Sequence, residues 1–188
     1  MMGRKMTGSK TKTPAAMNPV ISVVMGSDSD LPVMEEAAKI LSQFGIPHEL
    51  YLTSAHRTPA RTAAFAKGAA ARGIRVIIVG AGAAAHLAGV IAAETILPVI
   101  GVPIDATSLQ GIDALLATVQ MPGGIPVATM AIGKAGAKNA ALYAVRILSL
   151  QDNEMREKLD AYIENMAREV ERKHDNLTGR ERGKKHEP

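Results

Sequence analysis

The stretch VISVVMGSDSDLPVMEEAAKILSQFG, residues 20–45, decides the fold. Val20 to Met25 reads as one apolar run of strand length that ends at Gly26. From Leu31 to Phe44, Val33, Met34, Ala37, Ala38, Ile40 and Leu41 recur at helical spacing, and the pattern stops at Gly45. A strand without polar alternation needs cover on both faces, so a strand of this kind followed at once by a helix reads as one βα unit of a parallel sheet.

The same unit repeats along the chain. His48 to Leu52 is the next strand, followed by a helix with Thr58 as N-cap and Pro59 in its first position, running to Arg72 with Gly73 past its end. Ile74 to Val79 is a third strand that enters a Gly/Ala-rich turn and a helix near Ala84 to Glu94. Pro98 to Val102 precedes a helix over Ile112 to Val119. Val127 to Ala131 leads into a helix over Ala135 to Ser149. Five such strands, each returned by a helix through short right-handed connections, predict an α/β fold: a flavodoxin-like, doubly wound three-layer sandwich with a five-stranded parallel sheet. Residues 19–150 form this domain. Residues 151–175 carry Met155, Leu159, Tyr162, Ile163 and Met166 as a helical apolar stripe and read as a C-terminal extension helix that packs on the body. Residues 1–18 read as a flexible basic leader and 176–188 as a disordered tail.

Charge placement narrows the function. The net charge of +4 invites a nucleic-acid reading, but Arg4, Lys5, Lys10 and Lys12 lie in the leader, and residues 14–151 hold 9 basic and 8 acidic side chains. A nearly neutral body, with only Phe44, Tyr51, Phe65, Tyr143 and Tyr162 as aromatics, supports neither a phosphate-tracking face nor a base-stacking platform. Those 17 charges among 138 residues, about half the usual density, and the 31 alanines of the chain predict that other copies cover much of the surface. The two longest charge-free stretches, Val76 to Ala93 and Ala114 to Gly133, are broken by His86, Pro122, Pro126 and several glycines, so neither reads as a membrane span. The absence of cysteine removes thiolate chemistry and Cys-ligated zinc, and no His-Glu-x-x-His spacing offers another metal set. The leader lacks an apolar signal core, which makes a cytoplasmic location the expectation.

In an open parallel sheet, ligands gather outside the carboxyl ends of the strands, where loops and helix N-termini converge. Three loops there carry chemistry. Gly26-Ser27-Asp28-Ser29-Asp30 combines hydroxyls with carboxylates: Ser27 and Ser29 suit a phosphate, whereas Asp28 and Asp30 repel one and suit a sugar diol, and Ser29 or Asp30 is expected to cap the helix at Leu31. Ser54-Ala55-His56-Arg57-Thr58-Pro59 sets a hydroxyl, an imidazole that titrates near neutral pH and a guanidinium side by side, so an acid/base and an anion site are neighbours. Gly80-Ala81-Gly82-Ala83-Ala84-Ala85-His86 formally matches a dinucleotide fingerprint, with Asp105 about twenty residues on. Alternatively, its glycines bring backbone amides close to a ligand carboxylate. His48 in a strand, and His174 and His186 in the charged tail, read as structural or solvated.

Taken together, VVMGSDSD (23–30), TSAHRTP (53–59), GAGAAAHLAG (80–89), PVIGVP (98–103), VQMPGGIPVATMAIG (119–133) and KNAALYAVRIL (138–148) closely resemble the PurE family of purine biosynthesis, over about residues 19–173. The resemblance implies an octamer of flavodoxin-like subunits that isomerises N5-carboxyaminoimidazole ribonucleotide to its 4-carboxy isomer without cofactor or metal. Arg57-Thr58 and the histidine of Ala85-His86-Leu87 resemble the mutase branch rather than the branch that uses free CO₂. Two departures stand out: Ala83, where glycine is usual, and Ala88, where proline is usual. If position 83 takes a positive φ, alanine strains the turn.

Carried onto this chain, the resemblance casts His56 as the proton shuttle. Ser54 and backbone groups near Ala81 and Gly82 would hold the migrating carboxylate or CO₂, Arg57 and Ser27 the phosphate, and Asp30 the ribose hydroxyls. His86 would shape the ring site. The expected partners are the ribonucleotide and further copies of the chain, with no nucleic acid and no membrane. A nicotinamide-dependent oxidoreductase built on Gly80 to Ala85 is the alternative from another class.

Overall fold

A computed structural model describes residues 18–178. The elements run β1 (Ile21–Met25), α1 (Leu31–Gln43), β2 (His48–Leu52), α2 (Pro59–Ala69), β3 (Val76–Gly82), α3 (Leu87–Ala92), β4 (Val99–Ile104), α4 (Ile112–Val119), β5 (Ala128–Thr129), α5 (Gly133–Ser149) and α6 (Asn153–Thr178), with short 3₁₀ turns at Asp28–Asp30 and Ala70–Arg72. All strand pairs are parallel and the sheet order is β2-β1-β3-β4-β5, the flavodoxin-like doubly wound order expected from the repeated βα pattern.

Successive strand residues point to opposite faces, and this divides the apolar residues between two cores. Ile21, Val23, Val76, Ile78, Ile100 and Val102 face Met34 and Leu41 of α1, the buried alanines 137, 140, 141 and 144 of α5, and Leu159 of α6. Val24, Ile77, Val79 and Val99 face Phe65 and Ala66 of α2, Leu87 and Ile91 of α3, and Ala114 of α4. The alanine runs thus bring α5 close to the sheet. β2 and β5 are the edges. Leu50 and Leu52 of β2 are each 47% exposed, so this strand, unlike β1, β3 and β4, has cover on one face only.

Several local readings change, among them β5, which is Ala128–Thr129 rather than Val127 to Ala131, and β4, which runs on to Ile104. The third strand does not end at Val79 but pairs with β4 through Gly82, because Ala81 and Gly82 find partners in Pro103 and Ile104. Its helix starts only at Leu87. Asp30 holds the N-cap position of α1, but neither it nor Ser29 caps that helix through its side chain; the side-chain cap is that of Ser27 on the preceding 3₁₀ turn, its hydroxyl accepting the Ser29 N–H. α6 continues through Thr178, so the first residues of the expected tail are helical. The basic leader up to residue 17 and residues 179–188 lie outside the described residues. No helix among those described is long and apolar enough to cross a membrane.

Candidate active site

The loops after β1, β2 and β3 meet at the carboxyl end of the sheet, where neighbouring connections leave toward opposite faces. They enclose a cavity of 170 Å³. Of the residues singled out in the sequence, Ser27, Asp30, Ser54, His56, Arg57, Ala81 and Gly82 all line it. His86 does not, but joins it through His56.

Each wall has a local cause. After β1 the chain turns through Asp28–Asp30 in a capping box: Ser27 Oγ accepts the Ser29 N–H, and Asp30 Oδ2 accepts the Ser27 N–H at 3.0 Å. This folds the Asp30 carboxylate inward to 4% exposure. Burial pushes its carboxyl above the usual value, while hydrogen bonds from the Ser27 and Gly26 backbone pull it back down. Ser29 Oγ donates to Ser27 Oγ at 2.8 Å, so the two hydroxyls face one another at the rim.

The second wall is a knot of hydroxyls. Thr58 stands at the start of α2 but makes no side-chain cap there. Its Oγ1 accepts the Ser54 N–H at 2.9 Å and lies 3.1 Å from Thr53 Oγ1, which in turn lies 2.8 Å from Thr62 Oγ1. Ser54 Oγ accepts the Arg57 N–H at 3.2 Å, leaving its own hydrogen free to donate. Arg57 Nη2 then reaches over the cavity mouth to donate to the Gly26 carbonyl at 3.2 Å. Thr58 reads from sequence as a helix cap only. Its role in holding the Ser54–Arg57 turn depends on Thr53 and Thr62, whose approach no local pattern reveals.

The third wall is the end of β3. A Cβ on Gly82 would lie 2.5 Å from Ala106 Cβ, so the glycine there serves packing against the loop after β4. Gly80 and Gly82 are strand residues, and the helix behind them has only six residues starting at Leu87. The geometry of a dinucleotide turn is therefore missing, which removes the oxidoreductase alternative. Beyond Gly82, Ala83 takes φ 52°, the left-handed region anticipated if this position required glycine. Ala83→Gly is expected to raise stability by a few tenths to about 1 kcal/mol, relief of the left-handed alanine outweighing the added unfolded-state entropy. Urea denaturation checks it, and a loss of stability would mean the strain is absent.

The turn after Ala83 delivers His86 to His56. His56 Nε2 and His86 Nδ1 are 2.9 Å apart, and the rings meet edge to face at 80°. A bond between two ring nitrogens holds one proton: one nitrogen donates and the other accepts. His48 fits a structural role, with its Nδ1 2.8 Å from the Ile46 carbonyl.

The family model described as AIR carboxylase matches residues 20–169. The chain belongs to the AIR carboxylase family, the family of PurE. Within it, the chain is 59% identical over 155 residues to the N5-carboxyaminoimidazole ribonucleotide mutase of Pyrococcus horikoshii, covering 82% of this chain and 86% of that protein. It is 55% identical over 152 residues to the Thermotoga maritima protein of the same name, covering 81% and 88%. Among solved structures, Treponema denticola PurE superposes with a TM-score of 0.75 at 30% identity, over 85% of this chain and 98% of that one. The three walls are thus drawn from the GSDSD, SAHRTP and GAGAAAHLAG segments, with His86 reaching the cavity through His56.

The buried Asp30 carboxylate has a pH signature. Because its folded-state pKa is raised, the folded state holds the proton more tightly than the unfolded chain. Stability from this group is then full below the unfolded-state value, about 3.9, and is lost as pH rises above it. Asp30→Asn keeps an acceptor for the Ser27 N–H and removes the titration. Relative to wild type, the variant is expected to be more favoured near about pH 7 than near about pH 3.5. Denaturation at the two pH values checks this, and a difference of the opposite sign would contradict the burial argument.

Proposed function

We propose that the chain catalyses the conversion of N5-carboxyaminoimidazole ribonucleotide to 4-carboxy-5-aminoimidazole ribonucleotide, with His56 as the proton shuttle. The observation that carries the reading is the His56–His86 contact placed beside Arg57 and Ser54 at one cavity. The family membership and the names of its relatives supply the substrate; the site supplies the means. The reaction breaks the bond between the exocyclic nitrogen and the carboxylate carbon and makes a bond from that carbon to C4 of the ring. One proton must reach the nitrogen and one must leave C4.

His56 as the cation protonates the exocyclic nitrogen, and CO₂ departs with the aminoimidazole ribonucleotide left behind. The electron-rich C4 then attacks CO₂, and neutral His56 collects the C4 proton, which restores the cation. His86 keeps the ring of His56 in place and offers a second nitrogen to the same proton, so the two imidazoles work as a unit. Ser54, with its free hydroxyl hydrogen, and the end of β3 at Ala81 and Gly82 hold the carboxylate and then CO₂. Arg57 and Ser27 hold the phosphate, and Asp30 the ribose hydroxyls.

CO₂ must not escape between the two half-reactions. His56 and Arg57 are exposed in the single chain, so the reading includes further copies that close the site, in the homo-octamer expected of PurE. Leu109, Ile112, Leu116 and Val119, each between 48% and 60% exposed along α4 and the turn before it, support self-association. De novo purine synthesis also fits a cytoplasmic enzyme.

Substrate carrying a ¹³C carboxylate, converted in unlabelled bicarbonate, tests the reading. Formation of the 4-carboxy product with the label retained is the expected result. Product with the label washed out would assign the chain to a carboxylase that uses free CO₂ instead. No product at all would end the proposal.

A further inference from the structure

The cavity at His56 is smaller than the roughly 300–1,000 Å³ of ordinary small-molecule sites. A second cavity of 280 Å³ adjoins it across Arg57 and shares Gly26, Ser27, Ser54 and Arg57 with it; its further lining includes Asp28, Thr58 and Arg61. The two together reach the ordinary range, with Arg57 between them. A ribonucleotide whose ring occupied the His56 side would have room for its 5′ end past Arg57 in the second cavity.

Arg61 has no part in the assignments above, yet it is held at this second cavity by a fixed stack. Its Nε donates to Tyr51 Oη at 3.2 Å and its Cζ lies 5.0 Å from the centroid of the Tyr51 ring. Tyr51 stacks on the buried Phe65 at 4.4 Å. The guanidinium thus rests on Tyr51 through Nε and Cζ, and its terminal nitrogens have no hydrogen-bond partner among the described residues. Among the described residues neither Arg57 nor Arg61 forms an ion pair with a carboxylate. Asp28 lines the same cavity, but its Oδ1 already accepts from Ser27 Oγ and the Ser29 N–H. The second cavity itself thus holds two guanidiniums and one carboxylate, with Asp30 facing Arg57 from the adjoining cavity, and the excess of positive charge on the Arg61 side favours an anion there.

We infer that Arg61 is a second cation of the phosphate subsite, and that it sets how strongly the enzyme prefers a phosphorylated ligand. This rests on the ribonucleotide reading above. A guanidinium already immobilised on Tyr51 gives up little side-chain freedom on binding, so it can contribute although it is exposed. The probes are 4-carboxy-5-aminoimidazole ribonucleotide and the nucleoside without its phosphate, with affinities measured by calorimetry on the full-length protein.

Wild type is expected to prefer the ribonucleotide, and Arg57→Ala to remove most of that preference. Arg61→Gln is expected to cut the preference about fivefold, the scale of one exposed charge contact, with nucleoside affinity unchanged, kcat within about twofold and KM raised. Arg61→Lys, which keeps the charge but loses the guanidinium's hold on Tyr51, should recover only part of it. An unchanged preference in Arg61→Gln, or equal weakening of both ligands as from mere loss of packing on Tyr51, would overturn the role of Arg61 while leaving the ribonucleotide reading intact. A wild type indifferent to the phosphate would overturn both.

Discussion

His56→Asn is expected to lose at least 10²-fold and up to about 10⁴-fold in kcat, the usual contribution of a positioned acid/base, which is roughly 2.7 to 5.4 kcal/mol of barrier. Asparagine keeps a polar group at the imidazole's Nδ1 position but stops short of the Nε2 position that meets His86, and it cannot carry a proton between the exocyclic nitrogen and C4. Ribonucleotide affinity should stay within a few-fold, because the groups assigned to phosphate and ribose are Arg57, Ser27 and Asp30, which the substitution leaves in place. Stopped assays of the ultraviolet change on isomerisation, paired with calorimetric binding, separate the two quantities. Turnover near wild type would refute the shuttle. Loss of binding together with turnover would point to collapse of the site instead.

Gly136→Ala should produce the largest stability effect. On helix propensity alone, alanine for glycine within α5 would add up to about 1 kcal/mol. Here a Cβ would stand 1.6 Å from the Ala131 carbonyl oxygen and 2.6 Å from its carbon, and backbone atoms cannot swing aside as a side-chain tip can. The first turn of α5 would have to lift away from residues 131–132. The alanines at 137, 140, 141 and 144 on the same helix are fully buried, so the displacement would open the core beneath them. A loss of about 3 kcal/mol or more is expected, with the clash overriding propensity. Gly68→Ala is the matched control. A Cβ there meets nothing within 4 Å, and the same exchange in α2 should stabilise by about 0.5 to 1 kcal/mol. Urea denaturation of both variants is decisive: a stabilised Gly136→Ala would show that the approach of Ala131 is not as tight as described.

Distance along the chain separates what was legible in the sequence from what was not. The βα alternation, the stops at Gly45 and Gly73 and the placing of chemistry at strand ends all arise from contacts within a few residues, where side-chain spacing and backbone preference act alone. The strand boundaries of β1 and β2 and the helices α1 and α4 follow from that local pattern. The reading of β3 failed at its end for a related reason. Gly80, Ala81 and Gly82 look like a loop by composition, and only pairing with β4, supplied by residues 103 and 104, holds them extended. Similarly, the capping role of Ser27 depends on the three-residue turn that carries Asp30 back to its N–H.

From the linear chain alone came a doubly wound α/β domain, the three loops at its carboxyl edge and the kinds of side chain those loops carry, because such features need only short-range periodicity and turn chemistry. Three matters were left to the folded chain. His56 meets His86, thirty positions away; Arg57 closes on the Gly26 carbonyl, thirty-one positions away; and Arg61 is pinned to Tyr51 beside a second cavity. Side-chain direction and partner are set by which strands lie next to one another, and that order is chosen by burial of both sheet faces at once rather than by any segment on its own.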